Sequence, residues 1–274
     1  MHLLLIRHGE SVDNAAGLYG GSRDAGLTAH GALQAQRLAS SLAASKLHVR
    51  HIFSSNLGRA AKTANAVCDS QNKTHQSALA VVQLAELREK HFGNWEGVKF
   101  ASASAQHRPE QTGAETTESL QARCSAFLET YLAPLFTARM VEPEENCVVV
   151  VGHGISLGVL LLALAKKLAS TGATRGASKD AVLNQLASTR ISWSNTGYAD
   201  LVISKTDAAA EVTARGNPWS GLELRVAQIN CTTHLSGLRK TRGGIGSAAH
   251  DEKQKTIEGY FASSRKRKAD MVTD

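Results

Sequence analysis

Apolar positions fall into two patterns along this chain. Short uninterrupted apolar runs, with no polar alternation, mark strands buried on both faces. Residues 2–7 (His-Leu-Leu-Leu-Ile-Arg), 49–53 and 147–151 read this way. Between them, apolar residues recur at helical spacing. Leu33 to Leu42 forms one such stretch behind Thr28, a residue suited to capping a helix. A second runs from Gly58 to Cys68, and a third from Thr117 to Phe136, with Leu120, Cys124, Phe127, Leu128 and Tyr131 on one face. An apolar helix is expected directly after Gly152-His153-Gly154. Ile191 to Ser204 reads as two short strands around Asn195-Thr196-Gly197. Strands alternating with helices predict an α/β fold, a mostly parallel central sheet with helices on both faces. Residues 165–190 are rich in small and polar residues and read as a surface excursion. From about Gly237 the composition turns to Gly, Ser, Lys and Arg, so the expected domain is 1–236, followed by a disordered basic tail at 237–274.

Composition adds limits. The chain has 274 residues and 42% hydrophobic content, ordinary for a globular protein. No apolar run has the length of a membrane span, and the N-terminus lacks the basic and cleavage regions of a signal peptide. Cys68, Cys124, Cys147 and Cys231 show no paired spacing and read as reduced thiols, with no metal framework. The net charge is +7, yet residues 239–274 alone carry nine Lys or Arg against five Asp or Glu. The excess is thus mostly a solvated tail, and direct nucleic-acid binding is not expected.

The candidate chemistry sits where predicted strands end. Arg7-His8-Gly9-Glu10-Ser11 follows the first strand, Arg59 follows the second, and His153 follows the Cys147–Val151 strand between two glycines. In parallel sheets ligands bind at the carboxyl ends of strands. A histidine there can attack phosphorus through one ring nitrogen if the other is tied to a carbonyl. Arginine offers a planar fork of donors that fits phosphate oxygens. Two imidazoles and two guanidiniums converging on one point would call for an anion between them.

Arg7-His8-Gly9-Glu10-Ser11 with Asn14 resembles the signature of the histidine phosphatase (phosphoglycerate mutase-like) superfamily. Further blocks follow in the family's order: Gly26-Leu27-Thr28 with Gly31, Ser54 to Ala60, Leu87-Arg88-Glu89 through Gly97, and Gly152-His153-Gly154. The resemblance implies a phosphoglycerate mutase-like fold over residues 2 to about 205. It implies that His8 is the phosphorylated nucleophile, that Arg7, Arg59 and His153 hold the phosphoryl oxygens, and that Asn14 adds a donor, with Ser11 beside it. Glu89 would be the general acid, with Glu86 its rival. No metal or cofactor is implied. The segment Gly93-Asn94-Trp95-Glu96-Gly97 resembles the phosphatase branch more than the mutases, which favours hydrolysis of small phosphate esters such as sugar phosphates over mutase-type transfer. Lys90 and His91 could read a second anionic group or could be solvated loop residues. Glu115 and its neighbours at 113–119 resemble a substrate segment of some family members, or are simply the start of the 117–136 helix.

The tail carries a separate signal. Gln254, Ile257, Tyr260 and Phe261 have the spacing of a PIP box, the motif that docks on the sliding clamp PCNA. A short amphipathic turn packing on the domain is the alternative. The basic run Arg265 to Lys268 suits nuclear import, so a nuclear or cytoplasmic location is expected. A clamp-associated interaction protein with a vestigial phosphatase core is the competing class of function.

Overall fold

The computed structural model describes residues 1–100, 110–136, 144–170, 191–206, 217–240 and 245–251. The expected tail residues Gln254, Ile257, Tyr260, Phe261 and Arg265 to Lys268 lie outside these, as does 171–190.

In chain order the main elements are β1 (His2–Arg7), α1 (Val12–Ala16), α2 (Ala29–Ala43), β2 (His48–Ser55), α3 (Gly58–His75), β3 (Val81–Leu84), α4 (Thr117–Phe127), β4 (Asn146–Gly152), α5 (Gly154–Ser170), β5 (Tyr198–Lys205) and β6 (Leu222–Cys231). One six-stranded sheet runs β3-β2-β4-β1-β5-β6. The first four strands are mutually parallel, and β5 and β6 add antiparallel. The sheet is therefore mostly parallel, as the apolar runs predict.

Why β1 and β4 lack alternation is plain in the packing. Leu3, Leu5, Val148 and Val150 pack with α4 and α5 on one face. Leu4, Ile6, Val149 and Val151 pack with α2 and α3 on the other. Both faces are buried, so every position must be apolar. Thr28 caps α2, its hydroxyl accepting the Gly31 N–H at 2.9 Å.

Three expectations are corrected. The 117–136 helix stays α-helical only to Phe127, then widens into a π-turn (Leu128–Leu132) and tightens into a 3₁₀ turn (Ala133–Leu135). Pro134 lacks an N–H to continue the ladder there. Residues 191–197 are a loop, not a strand, and the partner of β5 is the distant β6. Thr196 (φ 57°) donates its N–H to the Arg7 and His8 carbonyls, so this turn fastens onto the signature loop instead of closing a hairpin. Lastly, α5 continues through 165–170, carried by the buried Ala165 and Leu168.

Contacts also continue past Gly237. Lys240 Nζ lies 2.8 Å from both carboxylate oxygens of Glu10, and residues 248–250 pair with Leu27 to Ala29 at the start of α2.

Candidate active site

Sheet register builds the centre of the site. Arg7 is paired with Gly152 across the parallel β1–β4 ladder, so the next residues, His8 and His153, leave adjacent strands side by side. Neighbouring strands lie about 4.8 Å apart, and the two imidazole centroids are 4.9 Å apart in an edge-on arrangement. On the other flank of β4, β2 leads through Ser55 to α3, whose first turn carries Arg59. β3 follows, and the turn after it delivers Glu89. All the candidate groups thus come from one end of one sheet.

Each is held by specific bonds. His8 Nδ1–H donates to the Gly9 carbonyl at 2.6 Å, which fixes the tautomer and leaves Nε2 with its lone pair. Nε2 faces the Arg59 guanidinium, whose Nε donates to it at 3.2 Å. Arg59 is in turn gripped by the carbonyls of Gly21 and Arg23. Arg7 donates to the Trp193 carbonyl. Glu89 accepts from three backbone N–H groups, those of Lys90 (2.9 Å), Ile155 (3.1 Å) and Ser156 (3.0 Å), and so caps the start of α5. Asn14 and Ser11 form a reciprocal capping box on α1. Asn14 Oδ1 also accepts from Asn195 Nδ2 at 3.1 Å, leaving its own amide N–H₂ as the donor.

Glycines make the signature loop possible. A Cβ on Gly31 would overlap the Glu10 carbonyl, so α2 can approach the loop only with glycine there. Gly93 adopts φ 61°, and a Cβ on it would strike the Thr112 carbonyl. The segment after Glu89 can therefore pack on 112–114 only as glycine.

The electrostatics favour an anion. His8 and His153 are fully buried, and burial above all holds both imidazoles well below their ordinary value, followed in His8 by the Arg59 and Arg7 charges and in His153 by His8 and then Arg59 and Arg7. Burial likewise lowers Arg7 and Arg59, with Glu89 opposing it in both. Neither ring nitrogen of His153, nor Nε of Arg7, has a hydrogen-bond partner among the described residues. Buried polar groups are normally paired. An oxyanion among these four side chains would satisfy them together.

A cavity of about 850 Å³ opens from this centre. Arg7, His8, Ser11, Asn14, Arg59, Glu89, Lys90 and His153 all line it. Glu86 and His91 do not. The His91 ring is occupied by its own loop, Nδ1 lying 3.0 Å from Gly93 N and 3.1 Å from the Gly113 carbonyl. Glu115 is also elsewhere, paired with Arg123 at 2.7 Å. Arg123 Nη1 in turn donates to the Glu86 and Arg88 carbonyls, so the pair braces the turn that carries Glu89.

Several positioning residues were not singled out from sequence. Thr63 Oγ1 accepts the Gly9 N–H at 3.1 Å and donates to the Arg59 carbonyl at 2.8 Å, joining nucleophile loop to arginine helix. Asp24 caps α3 from outside, accepting the Gly58 N–H at 2.6 Å. Trp193 and Asn195 arrive because β5 is antiparallel, so the loop before it, not after it, reaches the site. Thr63 sits four residues after Arg59 on one helical face, a readable signal; the other three needed the topology.

Comparison with known proteins agrees with this geometry. A protein of Schizosaccharomyces pombe described as a probable phosphatase is 31% identical over 265 residues, spanning 94% of this chain and 78% of its own. A probable phosphoglycerate mutase of Erwinia tasmaniensis is 29% identical over 59% of this chain and 73% of its own. The solved structure of a mycobacterial glucosyl-3-phosphoglycerate phosphatase superposes with a TM-score of 0.60 at 22% identity, over 84% of this chain and 99% of that one. Residues 3–200 match the histidine phosphatase superfamily (branch 1) as a family. With a sheet register that sets His8 beside His153 and two arginines around them, the chain belongs to branch 1 of the histidine phosphatase superfamily.

Proposed function

We propose that this protein is a phosphomonoester hydrolase that works through phosphorylated His8. The observation that carries this reading is the state of His8: Nδ1 is committed to Gly9, and Nε2 faces Arg59 beside Arg7 and His153. In the first step the Nε2 lone pair attacks phosphorus and the ester P–O bond breaks. Glu89 gives its proton to the departing oxygen. Water then attacks the phosphohistidine, Glu89 takes the water's proton, and the P–N bond breaks to release phosphate. Arg7 and Arg59 neutralise the phosphoryl oxygens throughout and His153 donates a hydrogen bond to them, so no metal is required for charge.

Hydrolysis is favoured over mutase-type transfer by the Gly93-Asn94-Trp95-Glu96-Gly97 segment, which resembles the phosphatase branch, and by the Schizosaccharomyces pombe relative described as a probable phosphatase. The test is hydrolysis of 4-nitrophenyl phosphate in EDTA. The wild type should turn over, and His8→Ala should lose roughly four orders of magnitude. Full activity in His8→Ala, or activity abolished by the chelator, would overturn the reading.

The tail motif supports a second, independent proposal, that Gln254, Ile257, Tyr260 and Phe261 tether the protein to a sliding clamp. Clamp affinity that is unchanged by the double variant Tyr260→Ala, Phe261→Ala would rule it out.

A further inference from the structure

Beyond the phosphoryl-binding centre, the cavity is walled differently from what a sugar phosphate needs. One wall is an aromatic cluster with Tyr19 as its hub. Its ring centroid lies 5.1 Å from Phe92, 5.6 Å from Trp95 and 4.3 Å from Phe100. Two loop segments are locked together to build it. Tyr19 N–H donates to the Val98 carbonyl at 2.9 Å, Gly97 N–H donates to the Tyr19 carbonyl at 2.8 Å, and Glu96 accepts from Ser22 N at 2.7 Å. The wall is thus preformed rather than gathered around a ligand.

Another part of the lining is an apolar stripe of α5. Leu157, Leu160, Leu161, Leu164 and Leu168 fill the core. Ile155, Val159 and Leu162, at helical spacing on another stripe, line the cavity. Val159 also packs partly against the core, so the apolar surface α5 has left over for the cavity is that of Ile155 and Leu162. Ile155 and Phe100 are also among the large apolar side chains left most exposed, at 43% and 49%. Polar groups on this side are scarce among the described residues. Gln111 lines the cavity, but its Nε2 already donates to the Phe92 carbonyl at 3.0 Å. The other polar atoms of the lining here belong to Lys90, Ser192 and the polar tips of Tyr19, Trp95 and Trp193, and the Trp193 Nε1 has no hydrogen-bond partner among the described residues. A sugar seated here would lose water from several hydroxyls and find few partners for them.

We propose that the preferred substrates are phosphate monoesters of bulky apolar alcohols, with an aromatic ring or comparable hydrophobic body, bound between the Tyr19–Phe92–Trp95–Phe100 cluster and the Ile155–Val159–Leu162 stripe. This rests on the hydrolase reading above and replaces its expectation of sugar phosphates with a hydrophobic class. Aryl phosphates are a poor test, because a phenol leaves more easily than an alcohol whatever the pocket does. Primary alkyl esters hold the leaving group nearly constant.

The experiment compares kcat/KM for 3-phenylpropyl phosphate, ethyl phosphate and glucose 6-phosphate with the full-length protein. The phenylpropyl ester should exceed both others by on the order of a hundredfold, the gain expected from burying one ring. Phe100→Ala should shrink the phenylpropyl-to-ethyl ratio by about tenfold, and Phe100→Leu should restore most of it. Turnover that depends on His8 but favours glucose 6-phosphate, or treats the three alike, would overturn this inference and leave the hydrolase reading standing. No turnover of any ester, 4-nitrophenyl phosphate included, would overturn the hydrolase reading instead. In that event, calorimetric binding of the same esters to the protein decides the pocket: a large phenylpropyl preference sustains the inference, and equal affinities end it.

Discussion

The floor and the walls of the cavity are built on different principles. The floor is set by sheet register: His8 and His153 are neighbours because Arg7 and Gly152 are paired, and Arg59 and Glu89 follow from the next strands outward. The aromatic wall is set by loop pairing, through Tyr19, Glu96 and Val98, with no strand of the main sheet involved. Register cannot shift by one residue without turning both buried faces of β1 inside out. Loop pairing carries no such penalty. The lesson is a division of labour, with a chemical centre fixed by the fold's core and a leaving-group pocket that can change while the centre stays.

The strongest way to test that separation is Arg59→Lys. The guanidinium faces His8 with one edge and the carbonyls of Gly21 and Arg23 with the other, and a lysine cannot make that fork. Turnover of all esters should fall by roughly a thousandfold, as for loss of a charged oxyanion donor. The phenylpropyl-to-ethyl ratio should stay within about twofold of wild type. Steady-state kinetics on the two esters gives both numbers. A ratio that collapses along with the rate would mean that Arg59, through Gly21 and Arg23, also props up the aromatic wall, and the division would fail.

The same contrast governs what could be read from sequence. His8, Arg7, Arg59 and His153 were legible because each follows an apolar run that can only be a buried strand, and strand ends in parallel sheets converge. Glu89 was legible by the family spacing to Gly93, whose positive φ shows what that spacing serves. Of the two readings the sequence left open for His91, the loop residue fits the structure: residues 88–91 have no regular structure to fix side-chain direction, and the His91 ring faces Gly113 outside the cavity lining. Tyr19 and Phe100 went unnoticed. They stand 81 residues apart, and nothing local in either segment signals the pairing that brings their rings within 4.3 Å. Residues 191–204 misled for a related reason. Asn195-Thr196-Gly197 has hairpin chemistry, but the Thr196 N–H is taken by the signature loop, and β5 pairs with β1 and with the distant β6 at 222–231.

The smallest expected effect is also the one that separates floor from wall most cleanly, since it changes only pH. Burial first, then the Arg59 and Arg7 charges, depress His8 well below the ordinary imidazole value of 6.5, against a weaker upward pull from the Gly9 carbonyl. His153 is depressed in the same direction. Below pH 6.5 the unfolded chain binds protons at these positions and the ligand-free folded protein does not. Their contribution to stability is therefore present above 6.5 and declines as pH falls beneath it. Melting temperature in phosphate-free buffer should drop between pH 7 and 5.5, and less steeply in His153→Asn. Catalysis should respond the other way. An imidazole at 6.5 would lose about eightfold of its neutral form over that range, whereas His8, already neutral, should lose less than twofold in kcat/KM once the second ionisation of the substrate phosphate is divided out. An eightfold loss would mean that the floor does not hold its nucleophile neutral. Phe92, Trp95, Phe100, Ile155 and Val159 carry no ionisable group. The phenylpropyl-to-ethyl ratio should consequently be flat across the same pH range, because these apolar side chains, which would hold the ring, have nothing to titrate even where the floor does.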